Sequence, residues 1–472
     1  MMVLGLGAID QSIVATALPR IMSDLGGLTR LTWVVSAYVL ASTSTMPLYG
    51  KLSDQYGRKP MIYIAIITFL VGSALSGAAQ SLSQLILFRV IQGFGAGGLL
   101  PLTQIIIGDL VEPAKRGRKQ GMISAVFAVC SVLGPVLGGV ITDLLSWHWI
   151  FYVNLPIGAA ALLVIAKALR RPQRTQVHRI DYFGALLLTA CTTMLLLILT
   201  LGGAEWPWRS ARIGALCAGT ALLGVVFVLH LRRAREPVLP LDLFRNRVFV
   251  VACAVMAFTF MGMLGASVFF PLFFQIVKGT SPSNSGLLTS ALTIGVVVSS
   301  VISGRILFHS GRYKPAQLAG LGIAVLAFAA LTFSAASDRG FAVIEPSIFA
   351  LGVGFGLVTP NMTIAVQNAV PAAHRGVGTA TLALFRSLGG LVGVTGAGAI
   401  LAQQLHHSAA ALRTVGALSP AMQTGTIALY RHAITMTFAA GVVVAAVALG
   451  LLLLLPEIAL SGRPEAQAKR SS

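Results

Sequence analysis

Asp10 is the one acidic residue that lies well inside any long apolar run of this 472-residue chain. An ionised carboxylate in the middle of a bilayer costs at least about 2.5–3.5 kcal/mol, so it should face a cavity or a charged partner. A carboxyl that alternates between neutral and charged can couple proton movement to a change of conformation, which makes Asp10 the first candidate for proton coupling. The competing reading is a polar anchor near one end of a short first span. Two basic residues also fall inside apolar runs, Arg89 and Arg386. A guanidinium stays charged, so it neither carries nor releases a proton. Arg89 can tune a carboxylate or order water and backbone carbonyls; four residues into its run, it can equally snorkel to the interface. Arg386 lies deeper, where it can bind anionic substrate groups or hydrogen-bond backbone, and spacing alone assigns it no role.

A second set of charges sits between two apolar runs, in Gly50-Lys51-Leu52-Ser53-Asp54-Gln55-Tyr56-Gly57-Arg58-Lys59. Asp54 and Arg58 are four apart and can pair if the segment is helical. Asp54 can also meet the N-terminus of a facing helix, and Arg58 can meet Asp109. The segment reads better as a gate latch than as a binding site. A loop that only sets topology would explain Lys59 but neither Asp54 nor the glycines Gly50 and Gly57. Gly134, Gly138 and Gly139 are expected on one face of their helix, permitting close helix contact, and Pro135 would kink or stiffen that helix. The run from Met256 to Phe274 is dense in Met and Phe. Phe270, Phe274 and Gln275, with Gln11, Gln92 and Arg386, are the candidates for lining a substrate cavity, since Met-rich apolar surfaces adapt their shape. For any one aromatic of this run, ordinary packing or lipid contact is the stronger expectation.

The elements that must position these residues follow from composition. Of all residues 56% are hydrophobic and 10% charged, with mean hydropathy +0.85. A soluble domain carries about 25% charged residues, so a water-soluble enzyme is excluded as the leading reading. A bilayer core about 30 Å thick needs roughly 20 apolar residues per helix. Fourteen such runs are present, at 1–20, 33–52, 61–79, 85–107, 120–142, 149–169, 183–202, 212–231, 249–276, 286–304, 315–335, 343–365, 378–402 and 432–456. The loops after even-numbered runs, with the C-terminal tail, hold 24 of the 34 Lys and Arg; eight lie on the other side and two within runs. That asymmetry places both termini in the cytoplasm. The net charge of +20 is then topology and attraction to anionic lipid, and no nucleic-acid partner is expected.

The first run begins at the first residue, so either the start is misassigned or trimmed or the first helix enters the bilayer almost at its amino terminus; no cleavable signal peptide is expected. Cys130, Cys191, Cys217 and Cys253 sit in apolar stretches without metal-ligand spacing. His406 and His407 read as solvated loop residues. No catalytic residue, cofactor or metal is expected, and the loops carry no nucleophile, metal cluster or phosphate loop of an enzyme.

Two pieces of the chain recur. Gly50 and Gly57-Arg58 are echoed by Gly304 and Gly311-Arg312. At an offset of 259 residues, Gly93, Gly95, Gly97 and Pro101 map onto Gly352, Gly354, Gly356 and Pro360, and Val111, Arg116 and Gly117 onto Val370, Arg375 and Gly376. Two related helical halves are the usual build of a secondary transporter, and six runs, two extra runs and six runs reproduce fourteen. Runs 7 and 8, which have no echo, would be the extra pair.

Gly50 to Lys59 resembles the signature loop between spans 2 and 3 of the major facilitator superfamily. Arg89-Val90-Ile91-Gln92-Gly93 resembles its span 4 motif, and Gly134-Pro135-Val136-Leu137-Gly138-Gly139 its antiporter motif. Ile9 to Val14 with Ala17-Leu18-Pro19, Trp147 to Phe151 with Asn154 to Gly158, and Phe269 to Gln275 followed by Gly279, Ser281 and Pro282 resemble the fourteen-span drug:proton antiporters. Two departures stand out: Phe308 occupies the position equivalent to Asp54, and Val394 the position equivalent to Pro135.

The resemblance implies an all-α integral membrane protein of the major facilitator fold, with two six-helix bundles plus two extra central spans, fourteen in all. Residues 1–169 would form the first bundle, 170–248 the two additional spans and linkers, 249–456 the second bundle and 457–472 a cytoplasmic tail. It implies a multi-pass protein of the inner (plasma) membrane that exports amphipathic or cationic drugs in exchange for protons, as a monomer among membrane lipids. No acid besides Asp10 is evident to pair with a dication, so exporters of lipids or of one metabolite stay open. So do a proton-coupled nutrient symporter and, remotely, a non-transporting sensor or enzyme.

Overall fold

Each of the fourteen apolar runs falls mainly on helix in the computed structural model, which describes residues 1–25, 32–168, 181–203, 205–234, 236–337, 340–405 and 420–456. His406, His407 and the expected tail at 457–472 lie outside the described residues. The first helices are α1 (Met2–Leu25), α2 (Thr32–Tyr56), α3 (Arg58–Gly77), α4 (Leu82–Leu110) and α5 (Pro113–Leu144). One helical turn, α6 (Trp149–Tyr152), leads into α7 (Asn154–Ala168), followed by α8 (Tyr182–Leu201) and α9 (Ala211–Arg233). Next, α10 (Arg247–Ser267) continues through α11 (Phe269–Leu272) into a π-helical turn, Phe273–Val277. The remaining helices are α12 (Pro282–Ser310), α13 (Lys314–Ala336), α14 (Phe341–Ala369), α15 (Arg375–Leu405) and α16 (Pro420–Leu453).

Local chemistry sets several of the ends. Ser81 caps α4 by accepting from the Gln84 N–H, while Gln84 Oε1 accepts from the Gln80 N–H in return. Ser210 and Ser281 cap α9 and α12 in the same way, and Pro282 fits the first turn of α12, where its missing N–H is no loss. The turns after α2 and α12 each need a glycine with positive φ, Gly57 at 91° and Gly311 at 68°. These two glycines are equivalent positions of the internal repeat.

Among the described residues, twelve helices are long and apolar enough to cross a membrane, or thirteen if α1, bent by 40° around Ala15, is one span. The expected fourteenth is α2. It has 25 residues, enough to span, but hydroxyls lower its hydropathy. Ser42, Thr43, Ser44 and Thr45 are buried, and Ser44 and Thr45 return their hydrogen bonds to the carbonyls of Leu40 and Ala41.

The chain divides into two compact units, Met1–Thr200 with Arg209–Phe249 and Val366–Leu384, and Leu201–Trp208 with Val250–Ala365 and Phe385–Ser472. In the first unit α4 packs against both α2 and α3. A methyl on Gly93 would strike the backbone of Tyr38, and one on Gly97 the Ser42 carbonyl, both on α2; one on Gly95 would strike Ala65 and Phe69 on α3. In the second unit α14 repeats this. Gly352 faces Leu292 and Val296, and Gly356 faces Val296 and Ser299, all on α12; Gly354 faces Gly320 and Ala324 on α13. The partners are themselves equivalent, at offsets of 254 residues for α2 and α12 and 255 for α3 and α13. Lipid gives apolar helices no hydrophobic reason to associate, so close backbone contact at small residues carries this packing. The glycine spacing read from sequence is therefore a repeated three-helix junction.

Candidate functional site

Asp10, at the middle of α1, is fully buried in the first unit, and the side chains around it come from four other helices. Arg89 Nη1 on α4 donates to Asp10 Oδ2 at 2.7 Å. Gln92 Nε2, one turn further along α4, donates to Asp10 Oδ1 at 2.7 Å, and Asn154 Nδ2, the first residue of α7, donates to the same oxygen at 2.9 Å. Ser73 Oγ on α3 accepts from both amides, at 3.2 Å from Gln92 and 3.0 Å from Asn154, and donates to the Phe151 carbonyl at 2.9 Å. Arg89 is only 1% exposed. Its Nη1 also donates to Gln92 Oε1 at 2.8 Å, its Nε donates to the Val34 carbonyl at 3.2 Å, and its guanidinium lies 4.0 Å from the ring centre of Tyr38 on α2. Arg89 thus turns into the protein rather than outward, and Asp10 is buried and paired with it. A buried charge persists when it is paired and its remaining lone pairs are satisfied, and this carboxylate has three donors. Gly72 lets α3 approach so closely, since a Cβ there would meet the backbone of Gln92.

The second unit has no such centre at the equivalent positions. Ser73, Arg89 and Gln92 correspond through the helix offsets to Phe328, Ile348 and Leu351. All three are fully buried in one apolar cluster with Phe270, Phe274, Phe355 and Phe438. The repeat kept the helix junction while the polar centre occupies one copy.

At the other end of α2, Asp54 accepts from two backbone N–H groups in the first turn of α15, Gly376 to Oδ1 at 3.0 Å and Val377 to Oδ2 at 2.9 Å. A carboxylate belongs at a helix N-terminus, where free N–H groups and the helix dipole favour negative charge. Arg58 Nη1 donates to Asp54 Oδ1 and, at 2.8 Å, to Ser53 Oγ, while its Nε donates to Asp109 Oδ2 at 2.8 Å. Asp109 Oδ1 accepts from Arg375 Nη1 at 2.9 Å, so this carboxylate bridges two guanidinium groups. Lys59 Nζ donates to the Ala166 carbonyl at 3.1 Å. The i,i+4 pair that the spacing allows is present, as are the helix-end contact and the Arg58–Asp109 contact considered for these charges; Arg375 was not among the candidates.

On α5, Gly134 and Gly138 face α1, where a methyl would strike Ser12 and the Ile13 backbone. Ser12 Oγ lies 3.0 Å from the Cys130 carbonyl across the same contact. Gly139 does not share that face: a methyl there meets nothing within 4 Å. Pro135 is exposed. Residues two and six along α5 from Val132 point one way on a 3.6-residue helix, and the next residue turns 100° away.

The cavity candidates separate. Gln92 belongs to the Asp10 centre. Phe270 and Phe274 are fully buried, Phe270 tilted against Phe438 at 5.5 Å and Phe274 stacked on Phe341 at 6.0 Å, so aromatic packing occupies them. Gln275 is exposed, with Nε2 donating to Ser285 Oγ at 2.9 Å, and Gln11 is exposed on α1. Arg386 is half-buried, its guanidinium 5.1 Å from the ring centre of Phe260. Sequence reasoning missed Tyr38 and Ser73 and used Asn154 only as part of a motif. Each is a polar group in an apolar run, and lone hydroxyls there carry no spacing signal. Among the described residues no group of three or more His, Cys, Asp and Glu could hold a metal ion.

Residues 1–394 match the family model described as Major Facilitator Superfamily. The chain is 38% identical over 395 residues to the Multidrug transporter protein MdtP of Bacillus subtilis (strain 168), covering 84% of this chain and 72% of that protein. It is also 38% identical over 394 residues to Multidrug resistance protein 3 of the same organism, covering 83% and 76%. In fold it is similar to the human organic anion transporter MFSD10, with TM-score 0.66 at 15% identity over 96% of this chain and 97% of that one. The proton:xylose symporter XylE gives TM-score 0.64 at 15% identity over 96% and 95%.

Proposed function

This chain belongs to the Major Facilitator Superfamily, a family of membrane transporters rather than enzymes, and from that premise we propose that it is a proton-coupled antiporter. It exports amphipathic or cationic small molecules by alternating access. The observation that carries the proposal is Asp10, a carboxylate buried among apolar helices and held by Arg89, Gln92 and Asn154. Protonation removes the charge that makes the Arg89 contact strong, so loading and unloading one proton changes what ties α1 to α4. That the cargo is drug-like is carried over from the names of the two Bacillus relatives, a multidrug transporter and a multidrug resistance protein; its amphipathic or cationic character follows the resemblance to drug:proton antiporters. Each elementary charge moved inward across 100 mV supplies about 2.3 kcal/mol before any pH gradient is counted.

On this reading α2 completes fourteen spans, both termini face the cytoplasm, and the protein works as a monomer in the inner (plasma) membrane among anionic lipids. The loop-by-loop distribution of Lys and Arg supports that orientation. The contact of Asp54 with the start of α15, reinforced by Arg58, Asp109 and Arg375, latches the cytoplasmic end in the outward-facing state. Gly50, Gly57 and Lys59 shape and anchor that latch. Gly134 and Gly138 hold α5 tightly to α1, keeping the Asp10 helix from admitting a leak. Gln11, Gln275 and Arg386 retain accessible surface and are the candidates for substrate contact.

Purified protein in vesicles with an imposed pH gradient tests this, with ethidium as the probe. Ethidium should move opposite to the proton, and Asp10→Asn should abolish the coupled movement. Movement with the proton would make the protein a symporter, and movement indifferent to the gradient would end the proton-coupling reading.

A further inference from the structure

We propose that Asn154 is the positioning residue that lets Asp10 take up its proton: its amide donates to the charged carboxylate and turns over to accept from the neutral acid. This rests on the proton-coupling reading above and adds to it the group that answers the proton.

A protonated carboxyl needs an acceptor for its new O–H, and the two oxygens of Asp10 differ in what they face. Oδ2 faces Arg89 Nη1 at 2.7 Å, and a guanidinium has five donors and no acceptor. Oδ1 faces two side-chain amides, each with an N–H₂ end and a carbonyl end. The proton therefore goes to Oδ1, and one of the two amides must present its oxygen. Gln92 is fixed, because its Oε1 accepts from Arg89 Nη1 at 2.8 Å while its Nε2 also reaches Ser73 Oγ at 3.2 Å. Turning Gln92 would lose the Arg89 contact and set Nε2 against a guanidinium. Asn154 is not so held. It is fully buried, and its Oδ1 has no hydrogen-bond partner among the described residues. An unpartnered buried carbonyl oxygen is a costly group to keep, and here it stands on the amide adjoining the proton-accepting carboxylate.

The step balances simply. One proton from the aqueous phase forms the Asp10 Oδ1–H bond. Half a turn about the Asn154 Cβ–Cγ bond exchanges Nδ2 and Oδ1. The Asn154 Nδ2 hydrogen bonds to Asp10 Oδ1 and Ser73 Oγ are released, and Asp10 Oδ1–H donates to Asn154 Oδ1. Ser73 keeps Gln92 as a donor, and its single O–H turns from the Phe151 carbonyl to Asn154 Oδ1, which would otherwise meet it oxygen to oxygen. Among the described residues, the titratable or charged groups facing Asp10 are Arg89 from α4 and Tyr38 from α2; α3 and α7 bring the neutral Ser73 and Asn154. Asn154 opens α7 directly after the break at Val153. Its turn exchanges the bonds that tie α7 to α1 and α3, which gives protonation a mechanical consequence beyond the ion pair.

Infrared difference spectra between neutral and acidic pH test this on the full-length protein in lipid vesicles, with its five asparagines labelled by 13C at the side-chain carbonyl. The expected result is a protonated-carboxyl band that is lost in Asp10→Asn, accompanied by a change in the labelled amide band that is lost in Asn154→Leu. In Asn154→Leu the carboxyl band should persist but shift to the higher frequency of an acid without an acceptor. An unchanged labelled band, or a carboxyl band at the same frequency in Asn154→Leu, overturns the role of Asn154 and leaves proton coupling at Asp10 standing. Absence of any band that depends on Asp10 ends both. Should Asn154→Leu not fold, the labelled band of the unsubstituted protein decides the question alone.

Discussion

Gly50 on α2 and Gly376 on α15 stand so close that a methyl carbon on Gly50 would lie 2.7 Å from the carbonyl oxygen of Gly376. The Ala380 methyl crowds the same spot, and neither it nor the backbone carbonyl can step aside as the end of a long side chain can. The same approach brings Asp54, one turn after Gly50, within reach of the Gly376 and Val377 N–H groups. Shape and charge at this contact are therefore one device, with the glycines setting the distance at which the carboxylate can cap the helix.

Gly50→Ala or Gly376→Ala should hold the two helices apart. Forcing one methyl into a filled contact costs about 1–3 kcal/mol, which is roughly a fivefold to hundredfold loss of the closed arrangement relative to the open one. Thr379 on α15 is buried. In a protein lacking the four native cysteines, Thr379→Cys should react slowly with a membrane-impermeant thiol reagent and faster by that factor once Gly50→Ala is added. Equal rates would show that the glycines do not set the closed distance.

The two carboxylates of the latch should not be equivalent. The Asp54 side chain is 5% exposed and Asp109 28%. Removing Asp54 leaves two helix N–H groups and Arg58 without their acceptor, a loss of about 1–3 kcal/mol. Removing Asp109 breaks two partly solvated ion pairs, each worth about 0–1 kcal/mol. Initial rates of ethidium efflux should fall by about tenfold or more in Asp54→Ala and only a few-fold in Asp109→Ala, with added salt reducing the second difference. A reversed order would place the main restraint on the Arg58–Asp109–Arg375 bridge.

Of the contacts around Asp54, the i,i+4 pair with Arg58 was legible from spacing, whereas Asp109, Arg375 and the first turn of α15 join it from distant parts of the chain and no local pattern reports them. The repeat was legible because its parts are glycines at fixed short spacings: those at 93, 95 and 97 recur at 352, 354 and 356, and the helices they contact recur with them. The centre around Asp10 was legible only as its charged members. Ser73 and Tyr38 join it through packing between helices distant in sequence, and no local pattern reports which face of α2 or α3 turns toward α1. The span count was blurred for a related reason, since the hydroxyls of α2 satisfy themselves on its own backbone and lower its hydropathy without making it a surface helix.

Three glycines of α5 give a discriminating test. Gly134 and Gly138 lie against Ser12, Thr16 and the Ile13 backbone, and Gly139 has open space around its Cα. Gly134→Ala and Gly138→Ala should separate α5 from α1 and reduce coupled efflux by about tenfold, again from an overpacking cost of about 1–3 kcal/mol. Gly139→Ala should transport at close to the unsubstituted rate and, by removing glycine from a helix interior, gain roughly 0.5–1 kcal/mol of stability. A loss of transport in Gly139→Ala equal to that in Gly138→Ala would mean that all three serve one face.

The Asp10–Arg89 pair should show opposite dependence on single and double replacement. Arg89→Met leaves a fully buried carboxylate without its counter-charge, for which a loss of about 3–5 kcal/mol is expected. Asp10→Asn is milder, because Arg89 keeps Gln92 Oε1, the Val34 carbonyl and the face of Tyr38. The double variant Asp10→Asn with Arg89→Met removes both charges from the apolar surroundings, so it should unfold at a higher temperature than Arg89→Met alone. Thermal unfolding of the four proteins in detergent measures this as a double-mutant cycle. Stability returns without function on this account: the double variant should still fail to couple ethidium movement to a pH gradient, because no group at this centre then takes up a proton. If the double variant is no more stable than Arg89→Met, the two charges do not stabilise each other, and the donors from Gln92 and Asn154 are enough to hold Asp10 ionised.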